Sequence, residues 1–504
     1  MTPSTSPLDA LLINDTVPVN NCFLNNGKIS PISFRRSTDT LPIEPETKSQ
    51  LPHISNAQSG FLLEAEPSYI SPQNKRIAVL FSGGPASGGH NVVLGIHQIL
   101  GPKNTLLGVT NGPKGLLEGR LSPLTTQIVS NVKNRGGFDL LGTDRTKIKT
   151  EEQFKCVRAI VKKEKIDAII IIGGDDSNTN AALLAEYLYS DNCAVIGVPK
   201  TIDGDLQIGS FLPISFGFDT ATRIYAEMVG NICQDTKSSL KYWHFIKLMG
   251  RSASQVTLEV ALRTQPAITL ISEEIAKKKW SLETIIEKIA NRIAHRASQN
   301  IFHGVVLLPE GLIEFVPHFK DLISESSKDQ DSHGNLKVSQ IETEQLLVEL
   351  VTKKLSEILP KSTPFNAQTH FFGYEGRCGA PTRFDQAFTL NLGLTAGSLA
   401  LGGHTGYMAS IGRLDSGGQV LAIPLSSLIH TEKRHGKETL VIEKALVELD
   451  SPAFKYFDAK RDKWAETDCF LSPGPRQMWG PLSNNLPKTV CLNQGYSKDK
   501  FDLG

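Results

Sequence analysis

The stretch "AIIIIGGDDSNTN", residues 168–180, decides the fold. An unbroken apolar run of strand length ends in two glycines and is followed by a polar segment that continues as an apolar-periodic helix. That is a buried strand, a tight turn and a crossover helix. The same grammar stands earlier at "KRIAVLFSGGPASGGHNVVLGIHQIL", where Ile77 to Phe81 read as a strand and Val92 to Leu100 as a helix. It returns in short form at "CAVIGVPKTIDGD" and continues through "HFIKLMGRSASQVTLEVALRT", "GVVLLPEG" and "GGHTGYMAS". Alternating strands and helices predict parallel sheets, hence an α/β protein.

Glycine turns at the carboxyl ends of such strands expose backbone N–H groups and helix N-termini, both favourable to phosphate. The turns fit neither GxGxxG nor GxxxxGK[ST], so the common dinucleotide and P-loop readings lose their support. The third turn adds Lys200, Asp203 and Asp205 to the adjacent acids Asp175 and Asp176. Phosphoryl transfer needs a metal ion on phosphate oxygens, a base for the attacking hydroxyl and cations facing the developing charge. These residue types could supply each, although any one of them alone reads better as a solvated acidic turn. The second acid is the puzzle, because it adds negative charge where an anionic donor should dock.

The whole chain sets the outer bounds. Its 504 residues allow two or three domains, and its net charge of +1 gives no global field for nucleic acid or a membrane surface. Mean hydropathy of −0.15 fits a water-soluble protein. Seven cysteines without CxxC spacing predict reduced thiols and a cytoplasmic location rather than disulfides or a zinc site. No leader pattern and no membrane-length apolar run is found. Residues 1–74, rich in Pro, Ser, Asn and Thr, read as an extension draped on the surface. "SLETIIEKIANRIAHRA" carries Ile285, Ile286, Ile289 and Ile293 at helical spacing, and Ile341 to Leu359 repeats the pattern after the polar loop "SESSKDQDSHGN". That loop and second helix, within about 312–365, read as a surface insertion. Residues 430–504 read as a peripheral unit.

Seven motifs stand in order: "GGPASGGHN" (83–91), "GGDDS" (173–177), "PKTIDGD" (199–205), "GFDTAT" (217–222), "LMGR" (248–251), "LLPEG" (307–311) and "GYEGRCGAP" (373–381). This ordered set resembles the phosphofructokinase family. The long amino terminus, helical insertion and carboxyl-terminal unit resemble its long pyrophosphate-dependent branch, to which plant catalytic β subunits belong. Ser87 departs from that branch, which usually has proline there, and "YEGRCG" differs from the commoner forms.

The resemblance implies a two-lobed fold with Rossmann-like parallel sheets. A donor lobe would span 75–225, completed by part of 395–430, and a fructose 6-phosphate lobe would span 226–400. ATP-using members carry glycine in place of Asp176 and of Lys200. Asp176 would therefore exclude the α-phosphate of ATP while Lys200 supports pyrophosphate, so the two form a donor-selecting pair. Asp203 would be the general base for the C1 hydroxyl. Asp175 would hold Mg²⁺, with Asp205 a weaker candidate. Gly84 and Arg145 would contact the donor. Thr201, Ile202, Asp203, Met249, Gly250, Arg251, Glu310, Tyr374, Glu375, Gly376 and Arg377 would bind the sugar phosphate. Lys241 and Tyr242 would reach a neighbouring subunit's sugar site, which implies a homodimer or larger assembly. The reaction implied is transfer from pyrophosphate to D-fructose 6-phosphate, near equilibrium and reversible. An ATP-dependent enzyme and a non-catalytic regulatory subunit of the same fold are the alternatives.

Overall fold

The computed structural model describes residues 7–71, 73–251, 253–316, 342–434, 437–480 and 486–496. The decisive stretch forms a strand, Ala168–Gly173, with all six residues buried, and then the helix Asp175–Tyr187. Burial on both faces is what an unbroken apolar run demands, and parallel sheets covered by helices provide it. Its parallel neighbours are Arg76–Phe81 on one side and Ala194–Thr201 on the other. Thr105–Val109 pairs beyond the first, and Tyr407–Gly412 beyond the second, both parallel.

Those five strands form the centre of a ten-stranded sheet. The chain places its first strand, Arg76–Phe81, inside the row, with the second on one side and the third on the other. The order therefore reverses between Arg76–Phe81 and Ala168–Gly173. A crevice opens outside the carboxyl ends at such a reversal, and ligands of open α/β sheets bind there.

The amino-terminal segment is no loose drape. Ile32–Thr40 and Phe61–Tyr69 pair antiparallel and extend the sheet through Gln419–Pro424, with Ala422 opposite Leu63. Phe23, Ile32 and Leu63 are buried in the main core. Polar composition hid these strands because an edge strand buries one face only: Ile32 and Phe34 are buried at strand spacing, and a register irregularity after Arg36 puts buried Ser37 out of step with them.

A second, four-stranded sheet runs in the order Ile268–Thr269, Gly304–Pro309, Trp243–Leu248, Ala367–Phe372, with every pair parallel. Leu248 lies opposite both Pro309 and Phe372, so the turns after these three strands leave the sheet at one level. The helix Leu282–Ser298 buries Ile285, Ile289 and Ile293 against this lobe, with Ile286 at the margin. The helix Thr343–Ile358 buries Leu347, Val351 and Leu355 in the same core, and its Glu344 pairs with buried Lys247 at 2.9 Å. It is a working wall of the lobe rather than an appended insertion; the polar loop before it lies outside the described residues.

The helix Arg383–Gly402, expected in the sugar lobe, packs instead on Gly89–Leu100 of the first lobe. Close approach explains the glycines here: a Cβ on Gly393 or Gly95 would meet the other helix's backbone. The lobe boundary therefore falls near residue 382, not 400.

Candidate active site

A cleft of about 450 Å³ lies between the carboxyl ends of the two sheets. Its donor-side wall is built from three successive turns. Gly83 has φ of +84°, a left-handed conformation that favours glycine, and its N–H donates to the Asp144 carbonyl at 2.9 Å. Thr143 Oγ1 donates back to the Gly83 carbonyl at 2.7 Å, which seats Arg145 and Lys147 beside the turn. Ser177 Oγ donates to Ser82 Oγ at 2.8 Å, joining the first glycine turn to the second. Gly84 lies against the Arg377 guanidinium, which a Cβ at that position would strike. Gly174 caps the helix that begins with Asp175 and Asp176, and Asn178 Nδ2 donates to the carbonyls of Gly173 and Gly174.

Lys200 ends the strand Ala194–Thr201 and is buried, its Nζ reaching the space beside Gly83. Burial pushes its ammonium down to about 8, reinforced by the Arg377 charge and opposed by Asp203 and Asp175. Asp203 N–H donates to Thr201 Oγ1 at 3.0 Å, and Gly204 turns the chain with φ of +70°. Burial and the neighbouring Asp203 push Asp205 up to about 7, with Lys444 pulling the other way. Asp176 pairs with Lys147 at 2.8 Å, each side chain about one-third exposed.

The opposite wall comes from the second sheet. Gly250 N–H donates to Glu310 Oε2 at 2.9 Å, and Met249 N–H to the Phe372 carbonyl at 2.9 Å. Burial raises Glu310 to about 7; the Gly250 N–H opposes that rise and the Asp203 charge adds to it. Buried Tyr225, on the helix Phe218–Ser239, donates to the Gly373 carbonyl at 2.6 Å and packs against Gly376. It thereby props the turn that carries Tyr374, Glu375 and Arg377. The Arg377 guanidinium sits 5.3 Å from the Tyr374 ring centroid.

Most residues singled out from the sequence line this one cleft: Gly84, Arg145, Asp175, Asp176, Lys200, Thr201, Ile202, Asp203, Asp205, Met249, Arg251, Glu310, Tyr374 and Arg377. Lys241 and Tyr242 do not. They precede Trp243–Leu248, at the amino end of a strand whose carboxyl end faces the cleft. Six residues of strand put them about 20 Å away. The motif "GFDTAT" also has another task. Asp219 accepts from Thr382 Oγ1 at 2.7 Å, while Asp385 accepts from Gly217 N–H and Thr220 N–H, so the pair ties the head of the helix Phe218–Ser239 to the head of the helix Arg383–Gly402. Lys147, Tyr225 and Lys444 belong to the site or its support without having been read from the sequence. Lys147 follows Arg145 by two residues in "DRTKI", which was a usable signal. Lys444 had none.

The phosphofructokinase family model matches residues 76–400. A pyrophosphate–fructose 6-phosphate 1-phosphotransferase subunit beta 2 of Arabidopsis thaliana is 39% identical, over 97% of this chain and 94% of that one.

The chain belongs to the phosphofructokinase family.

Another relative of this phosphofructokinase, the pyrophosphate–fructose 6-phosphate 1-phosphotransferase of Treponema pallidum, is 42% identical over 81% of this chain and 82% of its own. Among solved structures, the pyrophosphate-dependent phosphofructokinase of Marinobacter aquaeolei superposes with a TM-score of 0.57 at 17% identity. It covers 82% of this chain and 95% of its own, and so supports the phosphofructokinase fold alone. No helix among the described residues is long and apolar enough to cross a membrane, and all seven cysteines are free.

Proposed function

We propose that this phosphofructokinase is a pyrophosphate–fructose 6-phosphate 1-phosphotransferase. It transfers one phosphoryl group from pyrophosphate to the C1 hydroxyl of D-fructose 6-phosphate, reversibly, giving D-fructose 1,6-bisphosphate and phosphate. The observation that carries the reading is Asp176 and buried Lys200 on adjacent turns of one cleft. A carboxylate at the head of the helix opposes a nucleotide α-phosphate, and an ammonium beside Gly83 suits the smaller donor.

Asp203 takes the proton from the C1 hydroxyl as its oxygen bonds to the transferring phosphorus. The P–O–P bridge breaks and phosphate leaves. Lys200 and Arg145 face the charge that develops on the phosphoryl oxygens. Gly84 presents backbone to the donor. Arg251 and Arg377 take the sugar 6-phosphate through their planar forks, and the remaining sugar contacts are those of the second sheet's turns. Asp175 fits a Mg²⁺ ion, with Asp205 a weaker candidate for the same ion: Lys444 Nζ stands 3.8 Å from the first carboxylate and 3.7 Å from the second, so the two share one wall. Magnesium is suited to that, since it takes one or two carboxylates and completes its shell with water and substrate phosphates. When bound, it neutralises donor oxygens and orients them. Purified protein assayed with fructose 6-phosphate and each donor separately tests the reading: turnover with pyrophosphate supports it, and turnover with ATP alone refutes it.

Two predictions arise here. In the open cleft Lys200 is an ammonium below about pH 8 and loses its charge above it. The kcat/KM for pyrophosphate, which reports the free enzyme, should therefore fall as pH rises through about 8. Lys200→Arg, which does not titrate there, should remove that limb; a limb of unchanged size in the variant contradicts the assignment. The second concerns assembly as a homodimer or larger homo-oligomer, active in the cytoplasm. Lys241 and Tyr242 lie far from this chain's own cleft, which supports the reading that they complete a neighbour's. Dilution to monomer, followed by light scattering, should abolish activity, and a fully active monomer would refute the shared site.

A further inference from the structure

The cleft has a sixth cation, Lys444, that none of the sugar or donor motifs supplies. After the hairpin Ile429–Arg434 and Lys437–Ile442, the chain runs as a strap across the mouth between the lobes. Ala445 N–H donates to the Asp205 carbonyl at 2.7 Å, on the donor wall. Gln255 Nε2 donates to the Leu446 carbonyl at 3.0 Å, and Val447 N–H to Glu273 Oε1 at 3.0 Å, both on the sugar lobe. Glu273 Oε1 also accepts from Ser254 N–H at 3.0 Å, so the anchor is itself held. These anchors use the strap's backbone, and the Lys444 side chain lines the cleft.

Its Nζ stands 3.8 Å from Asp175 Oδ2 and 3.7 Å from Asp205 Oδ2. Both distances exceed those of charge-assisted hydrogen bonds, so the attraction to each carboxylate is electrostatic. The arrangement matters for an incoming polyanion. Arg145, Lys147 and Lys200 face it from the other turns, whereas the wall of Asp175 and Asp205 would otherwise present bare negative charge. We propose that Lys444 is a further donor-binding residue, which turns its ammonium from these carboxylates to the inorganic pyrophosphate as the metal-bound donor enters. The unit beyond residue 430 then belongs to the active site and is not a peripheral addition.

The proposal rests on the function proposed above, and one experiment separates their failures. Pyrophosphate with Mg²⁺, ATP with Mg²⁺ and fructose 6-phosphate are titrated calorimetrically into wild type, Lys444→Met and Lys444→Arg, with melting temperatures recorded. Wild type that binds ATP and not pyrophosphate overturns both readings. Given pyrophosphate binding by wild type, Lys444→Met should weaken it by about 10–100-fold, the worth of one hydrogen bond to a charged group. Fructose 6-phosphate affinity should stay within about twofold, and Lys444→Arg should recover most of the loss. A purely structural lysine would instead lower the melting temperature and weaken both substrates alike. Unchanged pyrophosphate affinity in a folded Lys444→Met, or equal weakening of both substrates, overturns the assignment. If Lys444→Met does not fold, Lys444→Gln, of similar length and polar, is read by the same criteria.

Discussion

Asp203→Ser is expected to lower kcat by about 10²–10⁴-fold in both directions while the KM for fructose 6-phosphate stays within about threefold. The turn that holds this residue does not depend on its carboxylate. Its N–H is fixed by Thr201 Oγ1 and the chain reversal by Gly204, so the variant should keep the geometry and lose the base. Removing the charge has a second consequence. Asp203 helps to hold Asp205 and Glu310 near 7, so both should ionise at lower pH in the variant. Asp203→Asn keeps the shape and separates base loss from packing. Steady-state rates with pyrophosphate, and in reverse with phosphate, measure the effect. A kcat within threefold of wild type for either variant would remove Asp203 from the role of base.

Asp176→Gly is expected to open the donor side to ATP. It removes a carboxylate from the head of the helix Asp175–Tyr187, and it releases Lys147 from its 2.8 Å ion pair. A repelling charge is lost and a cation is gained for a nucleotide phosphate. A contact of this kind in a partly desolvated cleft is worth on the order of 1–3 kcal/mol, or about 5–150-fold in ATP affinity. Lys200→Gly should depress pyrophosphate turnover by a comparable factor, since its ammonium faces the donor across the turns. Asp176 pairs with Lys147, and Lys200 faces Arg377, Asp203 and Asp175, all around one cleft that takes one donor. The two losses in pyrophosphate kcat/KM should therefore be non-additive in the double variant, because both side chains act on the same donor. The check is kcat/KM for each donor in all four proteins. Full pyrophosphate activity with no gain for ATP in Asp176→Gly would end the donor-selection reading.

What the sequence could disclose follows from how each residue is placed. Strands buried on both faces, such as Ala168–Gly173, announce themselves by apolar runs, and the turns after them carry the chemistry in short contiguous motifs. Hence the donor wall was legible almost residue by residue. The amino-terminal strands were not, because Ile32–Thr40 sits on an edge and alternates with polar residues that resemble linker. The helix Arg383–Gly402 is buried nearly all round, so its sequence has no polar face to say which lobe it serves. Lys444 was invisible for a different reason. Its place beside Asp175 and Asp205 is fixed by backbone bonds to Asp205, Gln255 and Glu273, partners some 170 to 240 positions earlier in the chain. Tyr225 likewise acts through the Gly373 carbonyl, a contact that no local pattern encodes.

The most direct measurement follows both donors in one tube. The purified chain is given fructose 6-phosphate, Mg²⁺ and equal amounts of pyrophosphate and ATP, and the reaction is followed by phosphorus NMR. Pyrophosphate should disappear, free phosphate and a sugar 1-phosphate should grow together, and the three ATP resonances should persist. Conversion of ATP to ADP with the pyrophosphate signal unchanged would contradict the account.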